Sequence, residues 1–543
     1  MASVLVGLVE VLVVLLALVA ATVPTRQIRI RSMEEEHNTQ NETTTKWPSL
    51  RFHFSLRRSS MNVYDQTQFD MFAEPAVSED GTKVLYNVFG SFAQGASVYN
   101  YSLVDGVGFL SEGDLSSEDS SIECLPSESG LLPPINTIVA ALNEAVAVSS
   151  ISSTSPSNIQ CSPGSLYKIS VHDIDFAVCA AGSSGISIYG DDMEILVEFI
   201  TIPSDNFSST SNIPSKCSRT TSPSQVTSVG RVLLTGEQLD TTESRKLEAE
   251  FDFLWSDSAC SCKSTPRPCI FIHGLGVKAE LPQNQDSFED YWGNNLPGHA
   301  PCCSSMKFAV LDMENNAWTS DDLQQKTCDR VLSVGSSSGA STISHTIVVA
   351  HSMGNLVLAG AIATGKCRLD AKTSTWVGIS APMSGSMASD YFQSACENET
   401  IAVVQKYVDV IGMCPIRDAI KSMASQSGKY GSVWLNKAYL AAQKVYQQDV
   451  DAVMCSGSSV GLVSLLQVKF WIMHRLVPFE SKENDGMVEF ESCAGGILAS
   501  KFGTSWQNRF YKTELNHYDT AFRAGDGLFN KAKMPLKWFE CLL

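Results

Sequence analysis

Positive charge is scarce in this chain of 543 residues: 39 Lys and Arg stand against 58 Asp and Glu, a formal net charge of −19. A negative long-range field repels phosphates, which argues against a general nucleic-acid binder or a protein held to anionic membranes by charge. Charge of either sign is thin, at 18% of residues, so Ser, Thr, Asn and Gly supply much of the polar surface. Beyond residue 23 no segment reads as a membrane span. The chain also lacks the paired Cys-x-x-Cys knuckles of zinc sites. Its sixteen cysteines, including Cys260-Ser-Cys262 and Cys302-Cys303, therefore read as disulfides formed in an oxidising compartment. Cys124, Cys161, Cys179 and Cys217 precede a Ser/Thr-rich linker and the other twelve follow it, so each part can pair internally.

What is present is a chain with 44% hydrophobic residues, enough for sizeable cores and at least two domains. Residues 4–23 are almost wholly apolar and close on Ala20, Ala21 and Thr22. They read as a secretory signal peptide cleaved near 21 to 24, so that residues 1–24 leave the mature protein. No basic residue precedes the run, and Arg26, Arg29 and Arg31 follow it, which keeps an uncleaved membrane anchor as the alternative. The expected location is extracellular or the secretory lumen. Sequons at Asn41, Asn100, Asn206 and Asn398 are compatible with glycosylation.

Residues 25–66 are polar, without clear periodicity, and are expected to form a flexible stalk. Over 67–203 short runs rich in Val, Ile, Tyr and Phe alternate with Ser/Gly breaks, the signature of an all-β accessory domain, taken as a sandwich. One short helix is expected within 131–148. Between 204 and 228 half the residues are Ser or Thr, which reads as a linker. Over 229–543 strand, turn and helix alternate: RPCIFIHGLG, MKFAVLDM, HTIVVAHSMGN and STWVGISAP. Near-continuous apolar strands alternating with helices predict an α/β fold with a doubly wound, mostly parallel sheet. Mostly helical sequence over 387–475 is expected to form a cap insertion, the sheet resuming near VPFES.

The sharpest chemical signal is Ala350-His351-Ser352-Met353-Gly354, at the end of one such strand and the start of a helix. A serine in that tight turn is held in strained backbone geometry with its hydroxyl standing free, and small residues on either side allow strand and helix to touch. An ordinary βα turn is the plain alternative. His273-Gly274-Leu275-Gly276 follows an earlier strand, and its glycines free the backbone to aim the Leu275 amide at a reacting carbonyl. With the amide of Met353 this makes a candidate oxyanion hole. A serine nucleophile needs a base, and nine histidines are available. His37, His53 and His172 lie in the stalk and β domain. His273 and His351 are committed to the two turns, His345 is at the wrong end of its strand, and His299 and His474 lack supporting context. His517, in Leu515-Asn516-His517-Tyr518-Asp519 after a late strand, is where the chemistry needs it. Asp485, in an Asp-Gly turn between Ser352 and His517, is the candidate acid that holds the imidazole tautomer, with Glu483 and Asp519 as rivals.

These four motifs together resemble the α/β-hydrolase superfamily, and more narrowly are similar to bacterial-type triacylglycerol lipases and related esterases. The resemblance covers about residues 266–543. It implies Ser352 as nucleophile, Asp485 as acid, His517 as base, and a lipid or small ester as substrate, with peripheral contact to a lipid surface and no organic cofactor. It also implies an option of structural calcium at Asp519, since some of those lipases bind calcium through an Asp two residues after the histidine. Asn355 departs from the commoner Gly after Ser-x-Gly. Similar elbows occur in lecithin:cholesterol-like acyltransferases and in inositol deacylases. A lipid acyltransferase, or a non-catalytic adhesion protein on a hydrolase scaffold, are the other readings.

Overall fold

The computed structural model describes residues 47–114, 120–125, 132–148, 151–153, 161, 164–201, 214, 217–237, 251–253, 258–335, 340–397, 414–462 and 473–543. The leader and the sequons at Asn41, Asn206 and Asn398 lie outside them. Asn100 is described and is exposed on a strand.

The stalk expectation is corrected first. Ser49–Leu56 (β1), assigned above to a flexible stalk, is a strand of a large antiparallel sheet. Its sequence SLRFHFSL alternates, and Leu50, Phe52, Phe54 and Leu56 all point into the core. The sheet continues through Gln68–Val77 (β2), Lys83–Gln94 (β3), Ser97–Val104 (β4), Val107–Asp114 (β5) and Ser120–Cys124 (β6). A helix, Ile135–Asn143 (α1), lies within the segment expected to hold one. Then come Val146–Ala147 (β7), Ile151–Ser153 (β8), Ser165–Val171 (β9), Ile174–Ala180 (β10), Ile186–Tyr189 (β11), Met193–Ile200 (β12) and Ser224–Gln225 (β13). All but β8 belong to one twelve-stranded sheet, ordered β6-β5-β4-β3-β2-β1-β12-β11-β10-β9-β7 with β13 on β3. It is one hydrogen-bonded sheet and not the expected sandwich of two.

The segment read as a linker is partly built into this unit. Cys217 is bonded to Cys124, Thr220 donates its amide to the Gly106 carbonyl, and β13 pairs with β3. The helix Ser228–Thr235 (α2) sends Leu233 and Leu234 into the same core, so residues 229–235 belong with the β unit.

The second unit holds a six-stranded parallel sheet. In chain order, with a short Phe251–Phe253 (β14) pairing β8, its strands and covering helices are Arg267–Ile272 (β15), Cys303–Ala309 (β16) and Asp321–Leu332 (α3). Thr342–Ile343 (β17), Ile347–His351 (β18), Met353–Ala363 (α4), Arg368–Leu369 (β19), Thr375–Ile379 (β20), Met387–Glu397 (α5) and Val433–Asp449 (α6) follow. Ala452–Ser456 (β21), Phe510–Thr513 (β22) and Pro535–Leu542 (α7) complete it. The sheet order is β16-β15-β18-β20-β21-β22, with β17 and β19 a separate pair. Both faces are covered: Ile270, Ile272, Val348 and Ala350 enter one core, while Cys269, Phe271, Ile347 and Val349 enter the other. That is why these strands read as unbroken apolar runs.

Three further expectations are corrected. The chain as a whole is not a mostly parallel doubly wound α/β protein, because its largest sheet is antiparallel and twice as many strands as the parallel one. The segment 387–475 is also not all cap. Within it α6 packs against α4, and AVMCS, part of the stretch expected to be mostly helical, is the fully buried core strand β21. No strand forms at VPFES.

The two units share a core. Leu528, Phe529 and Met534, from late in the chain, pack into the core of the antiparallel sheet. Arg58 sits 1% exposed between Glu540 (2.6 Å) and Asp526 (3.7 Å), and Lys537 pairs with Asp192 at 2.5 Å. All sixteen cysteines form eight disulfides, two among the four early cysteines and six among the later twelve. That density fits an extracellular or secretory environment. Among the described residues no helix is long and apolar enough to cross a membrane.

Candidate active site

Ser352 joins β18 to α4 with φ 53° and ψ −132°, a backbone conformation that L-residues rarely adopt. Its surroundings hold it there. The Ser352 amide donates to the Ile379 carbonyl (2.9 Å). Beneath it the Asn355 side chain donates to the carbonyls of Ala350 (2.8 Å) and Ile379 (3.1 Å), and accepts from the Trp376 indole (3.2 Å). The departure from Gly at 355 thus adds a brace across β18, β20 and α4. Gly354 permits the approach of helix to strand: a Cβ there would stand 2.6 Å from the His273 carbonyl oxygen.

The structure brings the three sequence-predicted residues together. His517 Nε2 lies 2.9 Å from Ser352 Oγ, and its Nδ1 lies 2.7 Å from Asp485 Oδ2. The other Asp485 oxygen accepts the amides of Met487 (2.9 Å) and Val488 (2.7 Å), which compensates a carboxylate only 2% exposed for its lost water. The His517 amide also donates to the Asp485 carbonyl (2.9 Å), fixing the two loops to each other. Of the rival acids, Glu483 forms an outward pair with Lys512 and Asp519 faces the Leu462 amide.

The loop carrying Leu275 lies directly on Ser352. A Cβ on Gly274 would meet Ser352 Cβ at 2.5 Å and Oγ at 3.0 Å, so only glycine fits. Met353 opens α4, and its amide is among those that a helix start leaves without an intrahelical acceptor. Leu275 and Met487 border a cluster of apolar side chains: Ala388, Phe392, Ala395, Ile420 and Met473 from the segment read as a cap, and Val477 just after it.

Four other histidines, His273, His299, His351 and His474, have other contacts; His37 lies outside the described residues. His273 is buried with Nδ1 on its neighbour's carbonyl (2.8 Å) and Nε2 accepting the Leu311 amide (3.1 Å); burial pulls its pKa down to about 4. His299 meets Glu540 and His474 meets Asn484. His351 points to the Tyr291 hydroxyl (2.6 Å) and the His517 carbonyl (3.1 Å). Sequence reasoning missed Tyr291, which no local motif marks.

The donor set does not fit a calcium ion at Asp519. Its carboxylate is wholly buried, one oxygen accepts the Leu462 amide (2.7 Å), and the Lys533 ammonium lies by the same loop, donating to the Gly461 carbonyl (3.0 Å). Among the described residues no group of three or more His, Cys, Asp or Glu is gathered to hold a metal. Burial pushes the Asp519 pKa up to about 7.

No protein-family model matches the chain, and no curated protein sequence does. Among solved structures, a Bacillus licheniformis lipase in its mature form aligns at 14% identity and TM-score 0.31, covering 48% of this chain and 87% of that one. A Staphylococcus hyicus lipase aligns at 12% identity and TM-score 0.28, covering 52% of this chain and 95% of that one.

Proposed function

We propose that this protein is a serine hydrolase that cleaves carboxylic esters through an acyl-enzyme. The observation that carries the reading is the Ser352–His517–Asp485 chain of contacts at 2.9 and 2.7 Å around a strained, nearly buried serine. Asp485 takes the Nδ1 proton of His517 in a hydrogen bond, which leaves Nε2 as the base facing Ser352 Oγ. His517 removes the hydroxyl proton as Oγ bonds to the ester carbon, and the carbonyl oxygen becomes an oxyanion. The amides of Leu275 and Met353 stabilise that charge, each such donor being worth about 3 kcal/mol in the transition state. The tetrahedral species collapses and the alkoxide leaves, protonated by His517. Water then gives a proton to His517 as it attacks the acyl carbon, and collapse of the second tetrahedral species breaks the Oγ–acyl bond, His517 returning that proton to Ser352 Oγ as the acid leaves. An acyl chain is the favoured occupant beside Leu275 and Met487, where the cluster around Phe392 provides apolar surface.

The test is labelling by a fluorophosphonate probe, wild type beside Ser352→Ala, followed by hydrolysis of p-nitrophenyl esters of rising chain length. Labelling that disappears in the variant, with rates favouring longer acyl chains, is expected. A folded wild type that does not label sinks the proposal, and preference for acetate over longer chains sinks the lipid substrate.

A further inference from the structure

We propose that Tyr291 and His351 are a pair of positioning residues that tie the oxyanion loop to the backbone of the base. The inference rests on the serine-hydrolase reading above. The Gly274 amide donates to the Tyr291 hydroxyl oxygen at 2.7 Å, and that hydroxyl lies 2.6 Å from His351 Nδ1. The other ring nitrogen of His351 lies 3.1 Å from the His517 carbonyl and 3.2 Å from Thr520 Oγ1. Thr520 in turn donates to the same carbonyl (2.9 Å) and accepts from Ser380 (2.9 Å).

Proton counting fixes the direction of the chain. The Tyr291 oxygen already accepts from Gly274, so its one proton goes to His351 Nδ1. A neutral His351 then carries its single proton on Nε2, aimed at the His517 carbonyl, which has no proton of its own. Burial, the largest cause, keeps His351 neutral, with His517 close by acting the same way. A cationic His351 would place an N–H against the tyrosine hydroxyl and break the order. Neither side chain reaches Ser352 Oγ, yet together they hold two features the chemistry needs. Gly274 is the residue against Ser352, and its amide is engaged by Tyr291, so the next amide, Leu275, is the one left to meet an oxyanion. His517 is held from its carbonyl side while Asp485 holds its ring.

The sequence gives no sign of this, because Tyr291 and His351 stand 60 positions apart and His517 is 166 further on. The conservative test is Tyr291→Phe, which keeps a ring packed among His273, Phe288 and Trp292 and removes only the hydroxyl. With a p-nitrophenyl ester, kcat and the fluorophosphonate labelling rate are expected to fall about ten-fold or more, with KM within about two-fold, since small misplacements of reacting groups cost that much. His351→Gln, which retains a donor towards His517, is expected to recover much of the activity lost in His351→Leu. Thermal unfolding of each variant separates the outcomes: rates at the wild-type level in Tyr291→Phe, or equal losses in the Gln and Leu variants, overturn the pair. Loss of rate that follows only loss of folded protein overturns it as well. Wild type that fails to label speaks instead against the serine-hydrolase reading itself.

Discussion

At the scale of single residues, steric room is as informative as the reactive groups. Gly274→Ala places a methyl 2.5 Å from Ser352 Cβ, so loop or nucleophile must shift. Labelling by the fluorophosphonate is expected to drop about 100-fold, the order seen for an ångström of displacement; labelling within error of wild type would contradict the packing. Asp519 offers a second residue-scale prediction, in stability. Its pKa rises from 3.8 to about 7 on folding because it is buried. The folded state thus binds the proton more tightly, and the contribution is complete below 3.8 and lost as pH rises towards 7. The slope is at most about 1.4 kcal/mol per pH unit. Asp519→Asn cannot ionise, so it should gain on wild type in urea denaturation across that window. Buried His273, whose pKa falls to about 4, acts in the opposite sense, losing stability as pH falls from 6.5. It is common to both proteins and cancels in the difference; a difference flat in pH would refute the assignment. The grouping of Ser352, His517 and Asp485 was legible because each sits in a turn with local chemistry. Tyr291 was not, since the partners of its hydroxyl, Gly274 and His351, arrive from two separate segments.

At the scale of elements, strands buried on both faces were easy to read and their neighbours were not. RPCIFI, TIVVAH and TWVGIS announce themselves by length and bulk. AVMCS did not, because four apolar residues and a serine just two positions after a helix continue its pattern to the eye, and only pairing with β20 and β22 makes it a strand. β1 failed for a different reason. Its alternation was present but was judged together with the polar stretch before it. Phe54 stacks on Phe69 at 5.1 Å and meets Phe529 edge-on at 6.5 Å. Phe54→Ala is expected to cost about 3–5 kcal/mol in chemical denaturation. A loss below about 1 kcal/mol, the range of exposed positions, would place β1 outside the core.

At the scale of the whole molecule, the β unit is not an appendage. Sequence reading divides the chain at the Ser/Thr-rich segment because composition changes there, whereas the structure joins the parts through residues 58, 192 and 526–541, whose partners are hundreds of positions away. Arg58 is the sharpest probe. Removing its charge in Arg58→Met leaves Glu540 and Asp526 buried beside each other without it, an expected loss of about 3–5 kcal/mol. Adding Glu540→Gln should restore part of that loss; a double variant no more stable than the single would show the pair is not coupled. This join also sets a timetable. Arg58 and Glu540 are 482 positions apart, so at roughly 5–20 residues per second the early strands emerge tens of seconds before their last partners are made. Throughout that interval the sheet lacks Leu528, Phe529 and Met534, and Cys260 waits for Cys541. The nascent chain therefore passes through that interval with an open apolar face and an unmatched thiol, and it is the arrival of residues 528–541 that closes both.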